Sequence, residues 1–321
     1  MLLNKTLILF LLFAFACLPP ANAIFGLAGR AEQKKMLADA REANAAGQYA
    51  KTIDIMEEFF FKNAPKRRVK RAYLLLAGAY RHAGMYDKLL LRLNEAAEFF
   101  PDDAEINLQL ADVYMYGNLP DKAVALYEKV LTLDKKNAPA RLALARAFLA
   151  EGSFLRSSVY FAQYEQMEEV EDAAVYYDYA LARFSANDYQ TALDLAQKAR
   201  ALGTNADTEL LIAKICRAMG HGGTAFETLA QAAQNYPQRE DIFLTRALWL
   251  AYDKETAAQA QELADAYLID NPQDRLALFI KAYALYNQGK AGGAKANLKT
   301  IASFEGDGFI DKMAAKLQEK L

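Results

Sequence analysis

The chain has 321 residues, of which 54 % are hydrophobic and 24 % charged, with 16 glycines and 8 prolines. This composition is that of a globular protein and excludes collagen-like and low-complexity chains. The formal net charge is −2, which is too small to indicate bulk affinity for nucleic acid. No stretch has the alternating pattern of a strand-rich domain.

The first 23 residues have the features of a secretory signal peptide. Lys5 precedes an apolar run over residues 7–18, and the small-residue site Ala21-Asn22-Ala23 follows. The run is about a dozen residues long, well short of the ~20 that a membrane-spanning helix needs. Cleavage after Ala23 removes one lysine and no acid, so the net charge of −2 becomes −3. The leader predicts an exported protein of the bacterial periplasm, with no membrane contact expected beyond the leader itself.

Two alternatives to cleavage after Ala23 stay open. The leader can be retained as an anchor, or Cys17 can be the lipidated residue of a lipoprotein. The residues before Cys17, Ala14-Phe15-Ala16, lack the leucine that usually lies three positions upstream of such a cysteine. After cleavage at Ala23, Cys216 is the only cysteine, so the mature chain forms no internal disulfide.

A pattern of apolar and small residues recurs along most of the chain with a period of about 34 residues. It is clearest over residues 70–103, where its members are Tyr73, Leu76, Ala77, Tyr80, Gly84, Tyr86, Leu89, Leu93, Ala96 and Pro101. The spacings of three and four predict two short helices, each with one buried stripe. Gly84 separates the helices and Pro101 follows the second one. Because one helix pair cannot bury both stripes, each copy needs neighbours.

These residues and their period resemble the tetratricopeptide repeat, a helix-turn-helix unit. The resemblance implies an all-α fold: an α-solenoid of about eight repeats forming a right-handed superhelix, with a C-terminal capping helix. We expect one solenoid domain over residues 24–321, with the cap at 309–321. The expected repeats are residues 33–69, 70–103, 104–137, 138–172, 173–205, 206–240, 241–274 and 275–308.

Few residues suggest a catalytic or metal-binding site. His82 and His221 lie in different copies and have no patterned partner at metal-ligand spacing. The chain has no phosphate-binding glycine loop and no nucleophile elbow. Cys216 occupies the position that Tyr80 fills in its own copy, which favours a core role. The sequence therefore predicts a non-catalytic protein without cofactor or metal.

The resemblance also implies a partner-binding groove lined by the first helices of the repeats. Carried over position by position, its residues are Arg41, Arg81, Arg146, Tyr177, Phe184, Lys214, Arg217, Trp249, Tyr252, Phe279, Tyr283 and Tyr286. Arginine and aromatic side chains are typical of binding hot spots, and an extended peptide with apolar anchors and a few acids would suit such a surface. The alternative is that the aromatic residues pack between repeats and expose little.

Two hypotheses about function follow. The first is an exported scaffold that holds a protein or peptide partner in its groove during assembly of a cell-envelope, pilus or secretion complex. The second is an accessory protein of a polysaccharide or peptidoglycan enzyme, in which the groove aromatics stack against sugar rings. Both rest on the resemblance and the leader, and neither names the partner.

Overall fold

The computed structural model describes residues 21–62, 69–305 and 308–321, and within these ranges every regular element is an α-helix. Short turns join the helices into pairs. In chain order the helices are α1 Ala21–Ala45, α2 Tyr49–Lys62, α3 Lys70–His82, α4 Tyr86–Phe99, α5 Ala104–Tyr116, α6 Pro120–Leu133, α7 Ala138–Glu151, α8 Phe154–Glu165, α9 Ala173–Ser185, α10 Tyr189–Leu202, α11 Ala206–Ala218, α12 Gly222–Asn235, α13 Glu240–Ala251, α14 Ala257–Asp270, α15 Arg275–Asn287, α16 Ala291–Ala302 and α17 Gly308–Gln318.

The predicted leader falls almost wholly outside the described residues, and Cys17 lies outside them as well. The first described helix, α1, begins at Ala21. The signal peptide, its cleavage after Ala23 and the export of the protein therefore stay predictions.

The predicted helix pair over residues 70–103 is confirmed. In α3, the buried stripe consists of Tyr73, Leu76, Ala77 and Tyr80, together with Ala72 and Ala79. In α4, it consists of Leu89, Leu93 and Ala96. Each stripe follows the three- and four-residue spacing of one helix face, and the two faces meet between the helices.

The turn inside a repeat has a common geometry along the chain. One residue in it takes the left-handed conformation, with a φ of +69° at Gly84, for example. Glycine adopts this conformation without steric cost, and asparagine is the next most tolerant residue. In the described part of the chain these positions are Gly47, Gly84, Asn118, Gly152, Asn187, Gly220 and Gly289. The turn between α13 and α14, residues 252–256, is longer and has no such residue.

Packing divides the chain into two compact units, residues 1–147 and 148–321. The core of the first unit is built from large side chains, among them Met56, Phe59, Leu76, Tyr80 and Leu89. The core of the second unit between α13 and α15 contains many alanines, namely Ala247, Ala251, Ala260, Ala264, Ala277 and Ala284. Small side chains allow the helices of the second unit to approach closely. The single solenoid domain over residues 24–321 stays a prediction.

The expected capping helix is present as α17. Ile310 and Leu317 are buried, and Met313 and Ala314 pack against the same cluster as Leu298 of α16. The other side of α17 is polar and exposed, as the sequence pattern predicts. α17 lies against α15 and α16 and covers the apolar end of the last repeat.

Candidate functional site

Three of the predicted groove residues belong to the first unit. Arg41, Arg81 and Arg146 are all exposed, and they lie on α1, α3 and α7, which are first helices of their repeats. Arg81 is close enough to Asp112 to lower the pKa of that carboxyl group, although burial raises it more strongly. Their exposure is the only property of these three arginines that bears on the predicted groove.

The remaining predicted residues belong to the second unit. On α9, Tyr177 and Phe184 are half-buried, and the Phe184 ring packs against Tyr189 at 5.8 Å. On α11, Lys214 is exposed and Arg217 is half-buried. Burial, followed by the charges of Asp207 and Asp178, raises the pKa of Tyr177. Tyr177 and Phe184 are therefore partly engaged in packing.

A continuous contact network connects five of these residues, and we call it the Arg217 cluster: Arg217, Trp249, Tyr252, Tyr283 and Tyr286. The Arg217 guanidinium lies 4.4 Å from the Trp249 ring centre and 5.8 Å from that of Tyr252. Tyr252 meets Tyr283 edge to face at 4.7 Å, and Tyr283 meets Tyr286 at 5.9 Å. The cluster thus brings together the ends of α11, α13 and α15.

Trp249 and Phe279 are not surface anchors of a groove. Trp249 is only 8 % exposed, because Arg217 covers its face and Phe226 meets it edge to face at 6.0 Å. Phe279 is 2 % exposed and packs in the core beneath α17. Packing accounts for both residues, as the alternative in the sequence analysis anticipated. That the predicted set as a whole binds a partner stays a prediction.

The surface of the cluster is formed by Tyr252, Tyr283 and Tyr286 around the edge of Arg217. Tyr252 is the most open of them, with 40 % of its surface exposed, because it stands just past the end of α13 in the long turn. Tyr283 and Tyr286 are half-buried. Burial and the neighbouring Tyr283 raise the pKa of Tyr252, so its hydroxyl is neutral and can donate a hydrogen bond at neutral pH.

Arg217 has no acidic partner among the residues that the structure describes. Its Nη1 atom is buried and makes no hydrogen bond, and burial lowers the pKa of the guanidinium. An arginine remains protonated in a protein even so. A buried donor without an acceptor is costly, and the aromatic rings compensate only part of this cost. Because Nη1 itself is out of reach, an acceptor oxygen of a ligand would have to approach the solvent-facing part of this half-buried side chain.

The turn that carries Tyr252 is held by side chains that the sequence pattern did not single out. Asn287 of α15 donates its Nδ2 hydrogen to the Ala251 carbonyl at 2.7 Å. Thr256 donates its hydroxyl to the Leu250 carbonyl at 2.8 Å. These bonds satisfy carbonyls at the end of α13 and fix the start of the loop. The only signal for them in the sequence is the absence of glycine or asparagine at the usual turn position.

The described ranges offer little evidence of a metal-binding site, a reactive cysteine or a membrane-spanning helix. No group of three or more histidine, cysteine, aspartate or glutamate side chains there could hold a metal ion. Cys216 is buried, and burial raises the pKa of its thiol, which disfavours the reactive thiolate. No helix in these ranges combines the length and the apolar character needed to cross a membrane.

Comparison with known proteins concerns mainly the fold. No protein-family model matches the chain. BBSome complex member BBS4 of Bos taurus is 25 % identical over 285 residues, which cover 84 % of this chain and 54 % of BBS4. The chain therefore spans about half the length of this curated relative.

Among solved structures, PilW, described as a widely conserved type IV pilus biogenesis factor, superposes with a TM-score of 0.53 and 22 % identity over 65 % of this chain and 96 % of PilW. A tetratricopeptide repeat protein from Parabacteroides merdae superposes with a TM-score of 0.51 and 10 % identity over 89 % of this chain and 98 % of its own. At such low identity these likenesses show the fold alone. They support a helical repeat fold of the tetratricopeptide type.

Proposed function

We propose that this protein is an exported, non-catalytic repeat scaffold that binds a polypeptide through the Arg217 cluster, in the assembly of a cell-envelope, pilus or secretion complex. The observation that carries the proposal is Arg217 itself. Its guanidinium is stacked on Trp249 beside Tyr252, and none of the described carboxylates pairs with it. The partner supplies an acidic group that meets the accessible part of the guanidinium.

The chemistry of the cluster favours a peptide with an acidic group next to an apolar one. Arginine binds a carboxylate through strong, charge-assisted hydrogen bonds. Stacking on Trp249 holds the guanidinium plane in place, so little conformational freedom is lost on binding. Tyr252 and Tyr283 provide ring surface for a neighbouring apolar side chain, and tyrosine, tryptophan and arginine are the residues that dominate binding energy at protein interfaces.

The wider role is supported by two further observations. The leader-like residues 1–23 support export. The likeness to BBS4, which is named as a member of a multi-protein complex, supports a role in holding protein partners together. The fold, which PilW shares, provides repeated surfaces that suit extended ligands.

The proposal can be tested with peptides selected from a random library on the purified chain. We expect the selected peptides to carry Asp or Glu beside an aromatic or aliphatic residue. Trp249 is the only tryptophan, so its emission reports occupancy of the site directly. Tyr252→Ala should weaken binding, whereas Lys135→Ala, which alters an exposed lysine of the first unit, should not. Equal affinity of the two variants would refute the assignment.

A glycan-binding role is the second candidate, and the exposed tyrosine rings are the observation that favours it. Tyr252 and its neighbours present ring surface to solvent, and sugar rings stack on such surfaces. Titration with peptidoglycan fragments distinguishes the two roles. A change in Trp249 emission with the glycan, and none with the selected peptides, would favour the accessory role in polysaccharide or peptidoglycan work.

A further inference from the structure

A second surface lies between α16 and the capping helix α17. Two helical stripes with spacings of three and four residues face each other across a groove of about 450 Å³. Lys295, Leu298, Lys299 and Ala302 form the stripe on α16, and Asp311, Ala314, Ala315 and Gln318 form the stripe on α17. The lining is apolar along its floor, and its small side chains leave room for those of another helix.

The repeat architecture indicates what shape of ligand fits there. One repeat earlier, α15 lies against both α14 and α16, so its apolar sides are covered by a helix before it and a helix after it. α17 contacts α15 and α16, and its residues Ala315 and Gln318 at the groove are exposed. A helix laid along the groove would complete the pair that α17 begins.

The charges at the groove indicate what charge a bound helix would need. In α14, the positions that correspond to Lys295 and Lys299 are Gln261 and Asp265. Gln261 accepts a hydrogen bond from Gln288 at 3.0 Å, and Asp265 pairs with Lys281 at 2.6 Å. Lys295 and Lys299 are exposed, and no ion pair within the described ranges involves either of them.

Among the described residues that line the groove, the one carboxylate is Asp311, which is already paired with Arg275. The groove therefore has two uncompensated positive charges on its α16 side. A symmetric dimer in which two such grooves face each other would bring the same lysines together, and like charges placed together are unfavourable. We infer that the groove docks an amphipathic helix of another polypeptide, with an apolar stripe against Ala314 and Ala315 and acidic residues opposite Lys295 and Lys299.

The test uses the full chain and three synthetic helical peptides of about 14 residues, or four turns. The first has leucines at positions i, i+3, i+4 and i+7 and is flanked by glutamates. The second replaces the glutamates with lysines, and the third has the composition of the first in scrambled order. Fluorescence anisotropy of labelled peptides should show that the acidic peptide binds about five- to tenfold more tightly than the lysine peptide, because two exposed ion pairs form.

Variants with matched controls locate the binding. Lys295→Glu together with Lys299→Glu should reverse the preference between the two charged peptides. Lys312→Glu together with Lys316→Glu changes the net charge equally on exposed residues outside the groove and should leave the preference unchanged. Ala315→Trp should block the groove, and Ala296→Trp, at an exposed position outside it, should not. Circular dichroism confirms that each variant is folded.

Three results would overturn the inference. The first is equal binding of the acidic and scrambled peptides, or no saturable binding of the acidic one. The second is binding that Ala315→Trp leaves unchanged. The third is dimerisation of the chain, measured by analytical ultracentrifugation, that Ala315→Trp abolishes, because the groove would then belong to a second copy.

Discussion

Arg92 of the first unit and Arg217 of the second both stack on an aromatic ring, but only Arg92 has an acidic partner. The Arg92 guanidinium lies 4.5 Å from the Phe60 ring centre, and its Nη1 atom is 2.6 Å from Glu95. The Arg217 guanidinium lies 4.4 Å from the Trp249 ring centre, and no described carboxylate approaches it. An arginine stacked on an aromatic ring is thus paired with a carboxylate in the first unit and unpaired in the second. We call the Arg92 site the closed side of this comparison and the Arg217 site the open side.

The difference separates an arginine whose charge is used within the fold from one whose charge has no acidic partner among the described residues. The other oxygen of Glu95 accepts a hydrogen bond from Tyr73 at 3.0 Å, so the charge of Arg92 is used within the fold. Phe60 packs on Tyr73 at 4.6 Å, which links the pair to the core. Aromatic stacking alone therefore does not identify a binding site in this protein. What sets Arg217 apart from Arg92 is the absence of an acidic partner among the described residues.

The largest expected effect is on the closed side of the comparison. Tyr73 is 3 % exposed and packs on Phe60, Phe99 and Phe100. Tyr73→Ala should lower the free energy of unfolding by about 3–5 kcal/mol, because it leaves a large cavity. Tyr252→Ala, on the open side, should cost less than about 1 kcal/mol. Urea unfolding followed by circular dichroism measures both, and equal losses would contradict the comparison.

The next effect is on binding at the open side. Arg217→Ala should weaken a selected acidic peptide by at least about tenfold, or ~1.4 kcal/mol. Arg217→Lys should restore only part of the affinity, because lysine keeps the charge but loses the planar stacking and the paired donors. Titration of Trp249 emission measures both variants. Full affinity in Arg217→Lys would mean that the charge alone matters and that the stack on Trp249 does not.

A smaller effect concerns the stability contributed by each arginine. Arg92→Met should destabilise the protein by roughly 1 kcal/mol, because Glu95 loses its ion-pair partner and keeps only the hydrogen bond from Tyr73. Arg217→Met should be neutral or stabilising, because methionine fills similar space on Trp249 without a buried, unused donor. Thermal unfolding of the two variants in the same buffer gives the comparison. A loss at Arg217 as large as that at Arg92 would assign Arg217 a structural role.

The sequence was sufficient for the repeat and insufficient for the site. The stripes around Tyr73 and Leu89 and the turn at Gly84 were predicted from spacing, because helix geometry fixes which residues share a face. The resemblance to the tetratricopeptide repeat implied that Trp249 and Phe279 lie on the groove side. Their burial depends on how closely neighbouring helices approach, and that distance is set by side chains in other repeats.

The contact between Arg217 and Trp249 joins residues one repeat apart. Both were predicted to line the same surface, but the stacking and the buried, unpaired Nη1 atom required coordinates. The long turn after α13 was visible only as a missing glycine or asparagine. Local sequence patterns thus predicted the helices and turns, whereas the unpaired Arg217 could be found only from contacts between repeats.

The smallest expected effect is on the pH dependence of the unfolding temperature, and it compares two carboxylates of the first unit, Asp112 and Glu57. Asp112 accepts a hydrogen bond from the Tyr127 hydroxyl at 2.8 Å, yet burial raises its pKa above the usual value of 3.8. The ionised form therefore opposes folding, and the stability that Asp112 contributes is complete below that value and is lost as the pH rises through the folded-state pKa. Asp112→Asn keeps an acceptor for Tyr127 and should raise the unfolding temperature at pH 7, with no gain at pH 3.

Glu57 provides the matched contrast, because its surroundings shift its pKa in the opposite direction. The Tyr80 hydroxyl donates to Glu57 at 2.7 Å and the Lys88 ammonium at 3.0 Å, and these bonds lower the pKa of Glu57 below the usual value of 4.5. The stability it contributes is present above that value and is lost as the pH falls through the folded-state pKa. Glu57→Gln should therefore lower the unfolding temperature at pH 7 and have little effect at pH 3. Unfolding temperatures of both variants, measured from pH 3 to 7, should diverge from the parent in opposite directions. If the unfolding temperatures of the two variants changed with pH in the same direction, Asp112 and Glu57 would contribute to stability in the same way. Burial of Asp112 would then not make its ionised form unfavourable.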